Sequence, residues 1–507
     1  MNIAVLGERN LEQFGEYNTV WFEGREYSNR ELLDLGKRFA GALEGIGIVP
    51  GDRVGVMLPN IPEIGSVYGG ISRAGAVVMP MVFMLAVPEI RHILTDSGAS
   101  AVVTSSEFYG NVAEAMKELP KPPQVIVLGD PTPDGALAFQ KLVDAATPKD
   151  DIADRDEDDI AVIFYTSGTT GRPKGVMLSH GNLLFNAENS AALGLTQDGD
   201  VSISCLPLAH LFGMGTTMTG QLRKLKGVLL RWFTAEGFFE AVNTHRVKSS
   251  AVVPTMLAYM LAHPDFDKVD WSSFEFIVVA AAPVPVELAE EFEKRTGARV
   301  LEGYGLTETS PTVSVMRRED PRRLGSCGKP VPNIEVAILD DDDKPVATGE
   351  TGEVCVKGPN VMKGYYNLPD ATADAMRSGW FHTGDMGHLD EDGYLYITER
   401  KKDMIIRGGF NIYPRDVEEV LYGHPAVLEA AVVGIPDPKM GEEVRAYVVL
   451  RPGETATADE LMDYACEHLA RYKTPKDVHF LDALPKNPIG KILKKDLREM
   501  AKQQSAL

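Results

Sequence analysis

The sequence predicts an α/β protein: a large N-terminal region of mixed and parallel sheets with flanking helices, a β-rich subdomain, and a small α+β C-terminal domain. Three observations carry this. Short β-rich runs alternate with helical patterns from about Ile160 to Tyr304. Closely spaced strands and turns follow from about Leu324. A compact stretch of about 100 residues begins after a charged Lys-Lys-Asp and a Gly-Gly pair. At 507 residues the chain is too long for one hydrophobic core, so several units are expected.

In chain order, the first 150 residues mix strand and helix patterns, with turns at Pro50-Gly51-Asp52 and Pro59-Asn60. The runs Ala161–Tyr165, Val201–Cys205, Ser249–Val253 and Phe276–Ala280 read as buried strands. Between them lie helices such as the one starting near Val286, with Gly297 as its stop. Such βαβ units make a largely parallel sheet that binds ligands at the carboxyl ends of its strands. The runs IEVAIL, GEVCVKG and DGYLYITER make the β-rich subdomain, about residues 324–400. The boundaries are therefore 1–401 and 402–507. The C-terminal unit has helices at Pro414–Tyr422 and from an N-cap at Thr457 to Tyr472, and strands at Ala430–Gly434 and Val444–Leu450.

The net charge of −22 repels nucleic acid and anionic lipid, while a local basic pocket remains free to bind an anion. Cys205, Cys327, Cys355 and Cys466 form no CxxC pair, which points to reduced thiols in a cytoplasmic compartment. No secretion signal is read at the start. The longest apolar run, Ala74 to Pro88, falls short of the ~20 residues of a membrane span and contains Pro80, so no transmembrane segment is expected.

The strongest local signal is YTSGTTGRPKG, Tyr165 to Gly175, directly behind a strand. Its glycines allow close backbone approach to an anion, its hydroxyls donate hydrogen bonds and Lys174 adds charge, which suits a polyphosphate. It is not a Walker A loop, because Arg172-Pro173 separate Gly171 from Lys174 and no Ser or Thr follows the lysine.

This stretch resembles the phosphate loop of the adenylate-forming superfamily, which includes acyl-CoA synthetases, peptide-synthetase adenylation domains and beetle luciferases. Five further stretches follow in the family's order: PLAHLFG, EGYGLTE, FHTGDMG, ERKKDMIIRGGFNIYP and PKNPIGK. The resemblance implies that Thr166, Ser167, Gly168, Thr169, Thr170, Gly171 and Lys174 hold the phosphates. It adds Ala281, Ala282, Glu302, Gly303 and Tyr304 to the nucleotide site, with Tyr304 stacked on adenine. Thr307 would bond the α-phosphate or the substrate carboxylate, and Glu308 would hold Mg²⁺, a hard cation suited to oxygen ligands. Asp385 would accept two ribose hydroxyls, and Arg400 would touch ribose and phosphate. Taken alone, Asp385 is a turn aspartate and Arg400 a surface charge. His210 would gate the acyl carbonyl, although a lone histidine in an apolar run also reads as a packed core residue.

The implied reaction has two halves. A carboxylate attacks the α-phosphorus of ATP and expels pyrophosphate, and Lys491 supplies the ammonium that offsets the developing charge. The C-terminal domain then rotates about Lys402. Gly408 and Gly409 let the pantetheine arm of CoA pass, the thiol takes the acyl group and AMP leaves. The neighbouring Lys486, Lys494 and Lys495 read as solvated charges. Implied partners are ATP, a carboxylic acid and CoA, with a homodimeric assembly left open.

For the acid, no tryptophan in EGYGLTE closes the pocket as in acetate-specific relatives, and Ala280-Ala281-Ala282-Pro283 stands where many relatives have Gly-Gly-Ala-Pro. These small residues favour a medium- or long-chain fatty acid, with an aryl or alicyclic acid next. Loading of a carrier protein is a further alternative, although the insertion typical of such ligases is not seen near the domain junction. The sequence departs from the family where MPMVFMLAVPEI replaces a polar NPxxTPEE-like loop, and where Glu399 replaces a glycine before Arg400.

Overall fold

The structure, a computed structural model, describes residues 1–166, 173–408, 410–487 and 490–505. Among these residues the strands form four sheets. The largest runs Lys329–Pro330, Thr312–Val315, Arg299–Gly305, Phe276–Val279, Ser249–Val252, Val201–Ser204, Lys226–Leu229, Asn18–Phe22, Arg25–Ser28. From Arg299–Gly305 to Asn18–Phe22 it is parallel. One of its faces buries Ile203, Val252, Ile277, Val279 and Val300 against Phe238, Phe266 and Phe292 of the covering helices and turns. The alternate residues Ser202, Ser204, Ser249 and Ala251 point to the opposite face, as the two-residue period of a strand requires. Residues of this face and of the helix Leu211–Leu222 line a common cavity.

A second sheet of eight described strands takes in the strands of residues 53–138, its parallel centre being Val77–Pro80, Arg53–Met57, Ala101–Ser105 and Gln124–Leu128. Ile160–Thr166 belongs here, parallel to Val77–Pro80. The alternating stretch of residues 160–304 is therefore divided between two sheets. Ile160–Thr166 pairs antiparallel with Lys174–Ser179, with Thr166 opposite Lys174.

The β-rich region is a four-stranded antiparallel sheet of Glu335–Leu339, Gly352–Lys357, Phe381–Leu389 and Leu395–Arg400. Beyond a turn at Lys401–Asp403, a five-stranded sheet is covered by helices Pro414–Tyr422, Ala458–His468 and Lys494–Ser505. Thr457 caps the second of these by accepting the Glu460 N–H, and the Glu460 carboxylate accepts the Thr457 N–H in return. That helix ends at His468 and not at Tyr472, because Leu469 turns extended (φ −122°, ψ 155°) and packs against the core beneath. The helix Val286–Thr296 ends as the sequence predicts, on Gly297 at φ 75°. In the apolar loop after Pro80, Phe83 stacks on Phe108 at 5.3 Å and meets Trp232 edge-on at 4.7 Å. No helix of the described residues is long and apolar enough to cross a membrane.

Candidate active site

A continuous cavity of about 1500 Å³ opens at the carboxyl ends of the parallel strands and reaches the turn that carries Lys491. Each wall follows from local sequence. Thr166 ends one strand and Lys174 begins its partner. Lys174 Nζ lies 4.9 Å from the centre of the Tyr365 ring. Ser167, Gly168, Thr169, Thr170 and Gly171 lie outside the described residues, as does Gly409.

Ala280–Ala282 follow the strand Phe276–Val279, and Ala281 takes φ 73°, a left-handed conformation that a Cβ disfavours. The strand Arg299–Gly305 delivers Tyr304, whose hydroxyl donates to Asp385 Oδ2 at 2.7 Å. Arg400 Nε stands 3.4 Å from Asp385 Oδ1, so phenol, carboxylate and guanidinium form one group across two sheets. Burial and the adjoining Asp385 carboxylate push the Tyr304 hydroxyl far above its usual range, so it stays a donor. Burial alone would lower Arg400, but Asp385 and Asp403 hold it above its ordinary value. The turn before Asp385 is fixed by Gly384 N–H donating to Glu353 Oε1 at 3.0 Å.

Thr307 and Glu308 stand on the short helical turn Thr307–Thr309. Tyr365 O–H donates to Glu308 Oε1 at 3.1 Å, and burial raises the Glu308 carboxyl above its ordinary value. A carboxylate in that position gains from a neighbouring cation, which fits Mg²⁺ carried on a nucleotide. Glu302 and Gly303 both line the cavity, and burial raises the Glu302 carboxyl to about 7 against the opposing pull of Arg415 and Arg322.

His210 caps the helix Leu211–Leu222. Its Nδ1 accepts the Phe212 N–H at 3.2 Å, and burial, together with Lys491, lowers its pKa to about 4. The ring is neutral near pH 7, and with Nδ1 occupied as an acceptor its proton sits on Nε2.

Lys491 reaches the site through a tight turn. Asn487 N–H donates to Lys491 O and Lys491 N–H to Asn487 Oδ1, both at 2.8 Å. Gly490 takes φ 79°, and a Cβ there would meet Val253 at 3.3 Å, so the turn and the close approach both require glycine. Thr255 Oγ1 donates to Gly490 O at 3.0 Å and ties the turn to the large parallel sheet region. Enclosure in the cleft, then the nearby Arg400, lower the Lys491 pKa to about 7, with Asp385 and Asp403 acting in the opposite sense.

The predicted hinge residue Lys402 is exposed on the Lys401–Asp403 turn. Gly408 lies apart from the cavity, where it donates its N–H to Met440 O at 2.7 Å.

Two of the three lysines read as solvated are not. Lys486 Nζ pairs with Glu429 at 2.8 Å and with the Tyr259 hydroxyl at 3.0 Å. Lys494 Nζ lies 3.0 Å from both Glu399 and Glu418, and their carboxylates hold its pKa above the ordinary lysine value against burial. Only Lys495 is an exposed charge, 4.0 Å from Glu499. Local sequence cannot separate these lysines, because their partners lie up to 227 positions away. Asn487, Thr255, Tyr365 and Glu353 also escaped sequence reasoning; the single available signal was Asn487 beside the Ile-Gly turn, a residue type that closes turns with its side chain.

Residues 7–366 match the family described as AMP-binding enzyme, and residues 416–491 match the AMP-binding enzyme C-terminal domain. The chain is 39% identical over 484 residues to a feruloyl-CoA synthase of an Amycolatopsis species, covering 94% of each chain. It is 36% identical over 521 residues to a long-chain-fatty-acid–CoA ligase of Bacillus subtilis, covering 96% of this chain and 92% of the relative. Among solved structures, an anthranilate CoA ligase in complex with anthranoyl-AMP superposes with a TM-score of 0.95 at 29% identity, covering 100% of this chain and 98% of that one. The chain therefore belongs to the AMP-binding, adenylate-forming enzymes and is an ATP-dependent, AMP-forming acid–CoA ligase.

Proposed function

We propose that this ligase runs both half-reactions on the one cavity, and that its acid is aromatic with polar ring substituents. The convergence of Lys491 with Tyr304, Asp385 and Arg400 carries the first part. Asp385 takes the ribose diol, Tyr304 stacks on adenine, and Arg400 with Thr307 bonds ribose and α-phosphate. Lys174, with Ser167, Thr169 and Thr170, takes the β- and γ-phosphates. Glu308 holds the Mg²⁺ that arrives with ATP, a cation that keeps several waters and binds through one or two carboxylates plus phosphates. Lys491 donates hydrogen bonds at the attacked phosphorus, and His210 offers Nε2–H to the acyl group. The protein thus supplies position and charge, with no covalent step of its own. The C-terminal unit, residues 402–507, then turns about Lys402, taking Lys491 out and bringing Gly408 in beside the path of the CoA thiol.

For the acid, the carrying observation is the wall between strand face and helix. Ser202, Ser204, Ser249 and Ala251 line the cavity on one side. Gly215, Thr216 and Thr219 line it on the other. Small side chains leave width for a ring, and hydroxyls offer partners to a ring substituent that an alkyl chain would leave unmatched. The likeness to a feruloyl-CoA synthase supports this reading. A medium- or long-chain fatty acid is the second reading, favoured by the same small wall and by the B. subtilis relative.

A panel of acids from acetate to stearate, with benzoate, hydroxybenzoate and hydroxycinnamate, decides it when pyrophosphate and AMP are followed with and without CoA. The expected result is highest kcat/KM on a substituted aryl acid, with AMP release dependent on CoA. A maximum on decanoate or longer replaces the first reading with the second.

A further inference from the structure

The ion cluster around Lys494 has a geometry that sorts its members into two bodies. Lys494 opens the final helix, three residues after Lys491. Its Nζ is 3.0 Å from Glu399 Oε2 and 3.0 Å from Glu418 Oε1. The side-chain exposures of Lys494, Glu399 and Glu418 are 17%, 9% and 15%, so water screens the cluster weakly. Glu399 is the penultimate residue of the strand Leu395–Arg400, beside Arg400, whose N–H donates to Glu399 Oε1 at 2.9 Å. It lies before the Lys401–Asp403 turn, whereas Glu418 and Lys494 lie after it. Glu418 is further held by the Val432 N–H, 2.7 Å from Oε1.

A rotation about Lys402 therefore treats the two carboxylates differently. Glu418 travels with Lys494, and their ion pair survives the turn. Glu399 stays with the body that holds Arg400 and Asp385, and its ion pair exists only while Lys491 is in the cleft. The chain between the two lysines is short and pinned, with Leu493 N–H donating to Pro485 O at 2.8 Å. Holding Lys494 Nζ therefore also sets the reach of Lys491.

We infer that Glu399 and Lys494 form a conformation-selective positioning pair that seats Lys491 for acyl-adenylate formation and releases it for thioester formation. Neither residue touches the reacting atoms; the pair acts through Lys491. The inference rests on the two-configuration reading above, and the Lys491→Ala control separates failure of one from failure of the other.

The experiment compares Glu399→Gln, Lys494→Gln, Glu418→Gln and Lys491→Ala in the full-length enzyme, with stability checked by thermal unfolding. Two rates are measured: acid-dependent ATP–pyrophosphate exchange, and single-turnover transfer of a preformed acyl-adenylate to CoA. Glu399→Gln is expected to slow the exchange at least about tenfold with little change in KM for ATP, as for loss of a desolvated charge pair, and to leave transfer equal or faster. The double variant Glu399→Gln/Lys494→Gln should lose less than the product of the single losses, the mark of a direct pair. Glu418→Gln, whose carboxylate moves with the lysine, should not show this selective loss. Equal slowing of both half-reactions by Glu399→Gln, or the same selective loss in Glu418→Gln, overturns the positioning pair. If Lys491→Ala itself slows both halves equally, the two-configuration reading fails first. Where Lys494→Gln does not fold, Lys494→Arg keeps the charge and must retain the exchange rate.

Discussion

Lys491→Ala removes the one cation that the C-terminal turn presents to the cleft between His210 and Arg400. An ammonium about 4 Å from the charge developing on the attacked phosphorus contributes about 4 kcal/mol at an effective dielectric constant of about 20. That corresponds to roughly a thousandfold in rate. The whole loss should fall on the first half-reaction. Pyrophosphate exchange is expected to drop by about three orders of magnitude, whereas transfer of a preformed acyl-adenylate to CoA should stay within about threefold of the wild-type rate. The ammonium must also be protonated to act. Enclosure brings its pKa to about 7, below the ordinary lysine value, so the active form is present below that pH and is lost as pH rises through it. kcat/KM for ATP, which reports the free enzyme, should therefore fall above about pH 7, and Lys491→Arg should abolish that fall. Bound phosphate favours the charged amine, so the corresponding limb in kcat should lie at higher pH. His210, at about 4, adds no ascending limb between pH 5 and 7. A folded Lys491→Ala enzyme that loses both half-reactions equally refutes the assigned role. A kcat/KM that is flat from pH 6 to 9 in the wild type refutes the electrostatic account.

Asp385→Asn keeps the size of the side chain but removes the charge that pairs with Arg400 and accepts the ribose diol. KM for ATP should rise about 10- to 100-fold, as for loss of a charged hydrogen bond worth about 1.5–3 kcal/mol, and isothermal titration with a non-hydrolysable ATP analogue would show it. Ala281→Gly relieves a left-handed alanine at φ 73° and should stabilise the enzyme against urea by about 1 kcal/mol, with activity retained. Lys402→Pro fixes φ in the connecting turn and should slow thioester formation far more than pyrophosphate release, measured in the same two assays.

Much of this molecule could be read from residue order, and the reasons are local. Strand patterning placed Val201–Ser204, Ser249–Val252 and Phe276–Val279, because a buried parallel strand is a short apolar run whatever its neighbours. Gly297 and Thr457 ended and began helices through bonds made within a few residues. The motif residues Tyr304, Glu308, Asp385, Arg400 and Lys491 were nameable in advance, and the cavity brings them together. Glu302 shares the motif and lines the same cavity, but the burial that raises its carboxyl to about 7 against the pull of Arg415 and Arg322 is set by residues distant in sequence.

The tertiary structure alone decided what depends on distant partners. It split residues 160–304 between two sheets, since strand pairing is a contest among all strands, and Ile160–Thr166 pairs antiparallel with Lys174–Ser179. It also separated the three neighbours of Lys491 near the end of the chain, Lys486, Lys494 and Lys495. Their local sequence is the same basic run, and charge alone predicts solvent for each. Glu429 claims Lys486, Glu399 and Glu418 enclose Lys494, Lys495 remains in water, and a glycine turn tied down by Thr255 turns Lys491 into the cleft. An ammonium's chemistry is set by the charges and the dielectric around it, and those are fixed only when the chain has closed on itself.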